Sequence, residues 1–152
     1  MGKKIQRILD IIFNDVSSFG GSVFYALVVL FLLIFGKMNV ALQLIVSFLI
    51  IILISFAIKL IFFKNRPKKQ KFTNVVEKID AGSFPSVHSA RATSLTFIIL
   101  SNIPRLELFL TLIPLALLVC YSRIFIKKHF LLDVVGGIVL GVITSFIAIL
   151  LL

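Results

Sequence analysis

The run MNVALQLIVSFLIIILISFAIKLIFF, residues 38–63, decides the fold. It is nearly uninterrupted Leu, Ile, Val and Phe, and its one charge, Lys59, stands near the end. A helix crossing the hydrocarbon core of a bilayer needs about 20 mostly apolar residues at roughly 1.5 Å rise each, and this run supplies them. Working outward, the same criterion predicts further spans at about Phe19–Phe35, Ser86–Ser101, Leu106–Tyr121 and Leu131–Leu152. Gly36 just past the first of these is a natural helix C-cap. Pro85 breaks the chain, and Ser86 can accept from free N–H groups of the turn that follows.

The composition agrees with this reading. Of 152 residues, 60% are hydrophobic and 14% charged, with a mean hydropathy of +1.16. A soluble domain carries about a quarter charged residues and 45–50% apolar ones. Disorder is excluded by the apolar content, and a disulfide scaffold by the lone Cys120. The chain therefore reads as an all-α membrane protein forming one domain over residues 1–152, with a bundle of about five transmembrane helices over 19–152. Before the bundle, Ile5, Ile8, Leu9, Ile12, Val16 and Phe19 recur at helical spacing, while Lys3, Lys4, Arg7, Asp10 and Asp15 take other faces. That pattern predicts an amphipathic interfacial helix over residues 1–18 rather than a signal peptide, which needs a continuous apolar core.

Sixteen Lys and Arg against six Asp and Glu give a net charge of +10. In so apolar a chain this points to anionic headgroups or anionic substrates, with no nucleic acid expected as partner. The polar stretch from Lys64 to Phe84, including Lys68, Lys69, Lys71, Glu77, Lys78 and Asp80, reads as a solvent-facing loop, and its lysine triplet as a solvated or lipid-contacting basic run. Gly136, Gly137 and Gly141 form a small-residue face for close helix packing, within the chain or between copies.

Five spans put the amino terminus, the 64–85 loop and the 122–130 loop on one side of the membrane. Every unusual polar residue then falls on that side: Lys59 and Arg66, His88 and Arg91, Ser122 and Arg123, and His129 and Asp133. Ionisable groups at membrane depth are costly and mark functional sites by default. If the second helix continues through Phe63, Lys59 and Arg66, seven apart, stack on one face and can clamp a doubly charged anion. His129 and Asp133 are four apart, so the carboxylate can fix the imidazole tautomer. The first turn from Ser86 to His88 offers unpaired N–H donors and a helix dipole to an anion. Arg91 reads either as a headgroup contact or as a partner of Asp80 or Glu77. Together these groups suit a phosphoryl group, held by arginine while one histidine attacks phosphorus and the other protonates the leaving oxygen.

The residues Lys59-x6-Arg66-Pro67, Pro85-Ser86-Val87-His88 and Ser122-Arg123-x5-His129-x3-Asp133 stand in that order and spacing. This closely resembles the three-part signature of the type 2 phosphatidic acid phosphatase superfamily, the integral-membrane lipid phosphatases related to vanadium haloperoxidases. The resemblance implies His129 as the nucleophile that forms a phosphohistidine, Asp133 as its orienting residue, and His88 as the general acid for the leaving alcohol. It implies Lys59, Arg66, Ser86 and Arg123 on the phosphate oxygens, with Val87 and Ser122 among the phosphate-binding positions, and neither metal nor cofactor. Substrates implied are phosphatidylglycerophosphate, phosphatidic acid, undecaprenyl pyrophosphate or the 1-phosphate of lipid A. A non-catalytic protein that binds anionic lipid is the alternative.

Two departures from the pattern stand out. Val87 replaces the usual glycine, which is tolerable if residue 87 is already helical. Many members have six spans, so this chain reads as a minimal version, a multi-pass protein of the cell membrane. Fourteen of the sixteen basic residues lie on the motif-bearing side, which by the positive-inside rule is cytoplasmic. The resemblance instead implies the outer face.

Overall fold

The computed structural model describes residues 2–68, 73, 74, 77, 79 and 81–152. Six helices are bounded within them: α1 (Lys3–Ser18), α2 (Ser22–Ile34), α3 (Met38–Ile61), α4 (Val87–Asn102), α5 (Leu106–Phe125) and α6 (Leu131–Leu151). There is no strand among the described residues. Helices α3, α5 and α6 are each long and apolar enough to cross a membrane alone. α1 and α2 meet that criterion only together, bent by 42° at a short break. At 16 residues α4 spans roughly 24 Å, short of the roughly 30 Å hydrocarbon thickness. It packs against α3, α5 and α6, and this inner position lets it carry Ser89, Arg91 and Ser94. Large apolar side chains cover the outside, Ile61 and Leu150 being 88% and 83% exposed.

The expected five-helix bundle with an amphipathic leader is present, with boundaries adjusted by local chemistry. Gly20 and Gly21 separate the leader from α2, so the second helix starts at Ser22 rather than Phe19. Gly36 ends it as expected, at φ +68°, with its N–H on Leu33 O and that of Lys37 on Leu32 O. Ser86 caps α4, its hydroxyl oxygen accepting from the Ser89 N–H at 3.5 Å and also from the Ser89 hydroxyl at 2.9 Å. α5 runs one turn past the expected Tyr121, so Ser122 and Arg123 are helical rather than in a loop. α3 stops at Ile61, where Phe62 turns extended, so the two-turn stacking of Lys59 and Arg66 does not form. The end of the 64–84 stretch also departs from expectation: Ala81 and Ser83 are buried, at 5% and 0% exposure. Lys69, Lys71, Lys78 and Asp80 lie outside the described residues.

α6 approaches α4 closely because it carries glycines. A Cβ at Gly137 would lie 2.4 Å from Ser86 O, and one at Gly141 2.5 Å from Ala90 O. The small-residue face is therefore used within the chain. Hydroxyls bind the same helices at membrane depth: Ser47 Oγ meets Ser94 Oγ at 2.7 Å and donates to Thr144 Oγ1 at 2.9 Å. Gly141→Ala must push the α4 backbone away, an overpacking cost of about 1–3 kcal/mol. Gly136→Ala meets only the Phe84 ring edge, which can swing aside. Unfolding in detergent should show the larger loss for Gly141→Ala, and equal losses would refute backbone contact as the cause.

Candidate active site

Asp133 occupies the third position of α6 and is fully buried. Its carboxylate accepts from Lys64 Nζ at 2.6 Å, from the Phe130 N–H at 2.8 Å and from the Ser83 hydroxyl. A buried charge is tolerated only with such pairing. Lys64 also lies over the Phe130 ring, 4.9 Å from its centroid. Ser83 is held at every polar atom: its N–H donates to Lys64 O at 2.8 Å, its hydroxyl donates to Asp133, and its carbonyl faces His129 Nδ1 at 2.7 Å.

The direct His129–Asp133 contact suggested by their spacing is replaced by this relay. Asp133 Oδ2 stands 3.9 Å from Nδ1, beyond hydrogen-bonding distance, because other donors have taken the carboxylate. The orienting acceptor is Ser83 O. A carbonyl only accepts, so Nδ1 carries the proton and the Nε2 lone pair is left for chemistry. Burial, then the charges of Arg123 and Arg66, push the His129 pKa down to about 3, against the opposing pull of Ser83 O and Asp133. The imidazole is thus neutral at ordinary pH.

Around it stand the other motif residues. The α5 cap turns the chain so that the Lys128 and His129 N–H groups both reach Arg123 O at 3.1 Å. This sets the histidine beside the arginine. Arg123 is 3% exposed, donates to the Ser17 hydroxyl, and has no hydrogen-bond partner for Nε among the described residues. Arg66 reaches this region along the extended segment after α3 and acts electrostatically on both Arg123 and His129. His88 lies in the first turn of α4, within reach of the charges of Arg123, Arg91, His129 and Lys128. Lys59 is buried in the last turn of α3, and a Cβ at Gly82 would come within 3.3 Å of its stem.

Val87 is the first residue of α4 and is helical, its side chain packed on the Ile51, Ala90 and Leu140 cluster. Valine costs little there, since the backbone N–H groups of the first turn remain presented. Two of the expected residues also have partners of their own. Ser122 is fully buried and donates to Val119 O at 2.6 Å, within its own helix. Arg91 lies over the Phe48 ring, 5.1 Å from its centroid, and Glu77 is occupied by the Thr73 N–H and hydroxyl. Asp80, its other proposed partner, lies outside the described residues.

Four residues escaped the sequence reading: Lys64, Ser83, Ser17 and Gly20. A Cβ at Gly20 would lie 2.9 Å from His88 O and 3.0 Å from His88 Cβ, so the break between α1 and α2 backs directly onto that histidine. Lys64 and Ser83 could have been suspected from the need of a buried Asp133 for a cation and a donor. Ser17 and Gly20 left no signal, being far in sequence from every motif. Among the described residues, no three His, Cys, Asp or Glu side chains are grouped to hold a metal ion.

Lys64→Met leaves the Asp133 carboxylate buried without its cation, and should lower unfolding stability by about 3 kcal/mol, a partly exposed lysine placing it at the low end. Holding His129 neutral has a pH signature too. Between the unfolded value of 6.5 and about 3, the unfolded chain binds a proton that the folded chain does not. The stability linked to it is complete above that window and lost as pH falls through it. As pH falls from 6.5 toward about 3, the wild type should lose stability relative to His129→Asn, read as a steeper fall of its unfolding midpoint. Parallel curves would rule out the neutral buried imidazole.

Comparison with known proteins adds to this geometry. No curated protein matches the chain. It is similar to the solved structure of Aquifex aeolicus LpxE, with 26% identity and a TM-score of 0.77 over 93% of this chain and 86% of that one. It is also similar to a transmembrane PAP2 type phosphatidylglycerolphosphate phosphatase from Bacillus subtilis. That likeness, at 22% identity and a TM-score of 0.73 over 92% of this chain and 74% of that one, shows a shared fold. The sequence pattern of the PAP2 superfamily matches residues 40–152, which include all three motifs and both histidines. By the reach of that match and the fold it shares, the chain belongs to the PAP2 superfamily.

Proposed function

We propose that the chain is a membrane lipid phosphatase that removes a terminal phosphate through a phosphohistidine on His129, without a metal ion. The observation that carries this reading is the locked His129 tautomer beside Arg123. A neutral imidazole whose Nδ1–H is held by Ser83 O is an activated nucleophile at Nε2.

Nε2 attacks phosphorus as the P–O bond to the lipid breaks, and His88, which takes up a proton once the charge of the bound phosphate offsets the neighbouring cations, gives that proton to the departing oxygen. Water then attacks phosphorus, the P–N bond breaks, and His88 takes the water proton as inorganic phosphate leaves. Arg123, Arg66, Lys59 and the first-turn N–H groups of α4 stabilise the charge on the equatorial oxygens. Arg123 binds with its orientation set by Ser17, and Ser86 contributes by capping α4. An apolar cavity of about 510 Å³, lined by Thr93, Phe97, Leu100, Ile113, Leu117 and Cys120, suits an acyl chain entering from the bilayer. For a pyrophosphate substrate the leaving group is a phosphate, and the chemistry at His129 is unchanged.

The test is phosphate release by detergent-purified protein from phosphatidylglycerophosphate, phosphatidic acid, undecaprenyl pyrophosphate and lipid A. Release should persist in EDTA, be inhibited by vanadate, and fall at least about a thousandfold in His129→Ala, as expected on losing a covalent nucleophile. The lipid turned over fastest identifies the substrate. Release abolished by EDTA would overturn the metal-free reading. Unchanged release in His129→Ala would overturn the nucleophile. No release from any lipid by folded protein would favour anionic-lipid binding without catalysis.

A further inference from the structure

The polar face of α1 does not simply face water. Gln6, Asp10 and Asn14 recur every fourth residue and form one stripe. Gln6 Nε2 donates to Asp10 Oδ1 at 3.1 Å, and Asn14 Nδ2 to Asp10 O at 2.7 Å. With Lys68, Lys127 and Lys128 this stripe lines a cavity of about 750 Å³. That volume is within the roughly 300–1,000 Å³ of small-molecule sites.

Both walls are fixed. α1 is anchored where the Phe13 ring packs against Phe125 and Tyr121, at 4.2 and 5.5 Å between centroids, and where Ser17 meets Arg123. Opposite, Lys127 adopts φ +56°, a left-handed conformation that costs a lysine about 1 kcal/mol. Its carbonyl accepts the Lys68 N–H at 3.1 Å, which joins the two lysines into one rim. The rim is the turn whose next residue is His129.

The lining chemistry identifies the ligand class. Three lysines against one carboxylate favour an anion, but a phosphate alone has no use for Asp10 or for the amide oxygens of Gln6 and Asn14. A carboxylate and two amides beside cations bind hydroxyl groups, accepting their protons while the amides donate. The geometry points to this crevice as a headgroup subsite for a hydroxyl-rich, further charged headgroup of the lipid whose terminal phosphate reaches His129. α1 lies outside residues 40–152, so the wall formed by Gln6, Asp10 and Asn14 comes from a segment that the family pattern does not include, while the lysines opposite lie within it. The inference rests on the phosphatase reading for the placement of the reacting phosphate, and on its own lining for the headgroup.

The experiment uses the full chain carrying His129→Ala, so that nothing turns over, in lipid nanodiscs. Calorimetry compares glucose 1,6-bisphosphate with 1,6-hexanediol bisphosphate, which has like charge and no free hydroxyls. The sugar should bind about tenfold more tightly, as one or two hydrogen bonds to charged groups allow. Asp10→Asn and Gln6→Ala, each on an exposed helix face, should bring the ratio toward one, and Lys68→Ala should weaken both ligands. Equal binding of the two compounds, or a ratio untouched by Asp10→Asn and Gln6→Ala, overturns the subsite. Phosphate release by the protein with His129 intact is read separately. Release with equal binding defeats the subsite alone, whereas the tenfold ratio without release defeats the phosphatase reading and leaves the subsite standing.

Discussion

The structure depends on one buried carboxylate. Asp133 is wholly removed from solvent at the start of α6, and a charge so placed must collect donors. It takes them from three separate parts of the chain: Lys64 after α3, Ser83 before α4, and the backbone of Phe130 at its own helix start. The three segments that carry the motifs are thereby tied at one point. The orientation of His129 follows at one remove, because the carbonyl that fixes its ring belongs to the serine that the carboxylate holds.

The electrostatic balance of the site follows from that tie. Lys64 neutralises Asp133, so the carboxylate nearest the site does not cancel Arg123 or Arg66. The local potential is positive and surrounds a histidine kept neutral by the same charges and by burial. Two kinds of group, cations that hold an anion and an unprotonated imidazole that attacks it, are compatible here because burial first, and then the cations, depress the imidazole pKa. Buried positive charges are costly, and binding an anion relieves that cost.

Helix packing brings these groups into register. Gly137 lets α6 touch the carbonyl of Ser86, and Gly20 lets the α1–α2 break touch His88. In lipid there is little hydrophobic gain from joining helices, so close backbone approach and hydroxyl bonds such as Ser47–Ser94–Thr144 hold α3, α4 and α6 together. The leader helix shares in this: one side meets α5 through Phe13 and Ser17, and the isoleucines Ile5, Ile8 and Ile12 stay exposed, as suits the membrane interface.

By itself the sequence determined the helices, their capping at Gly36 and Ser86, and the convergence of the motif residues, because apolar run length and terminal chemistry are local properties. It also determined the family, since ordered motifs with fixed gaps are written along the chain. What only the tertiary structure decided was who touches whom. Helical spacing placed Asp133 one turn from His129, but competition from Lys64, Ser83 and Phe130, two of them distant in sequence, drew the carboxylate away. Spacing likewise stacked Arg66 on Lys59, yet α3 ends at Ile61 and the arginine arrives by an extended path. Ser122 and Arg91 read as site residues from their positions, and their contacts with Val119 O and the Phe48 ring are ones that spacing did not give. A periodicity fixes direction around one helix axis, whereas a hydrogen bond goes to the best-placed donor or acceptor in three dimensions, and that is set by segments which meet only after folding.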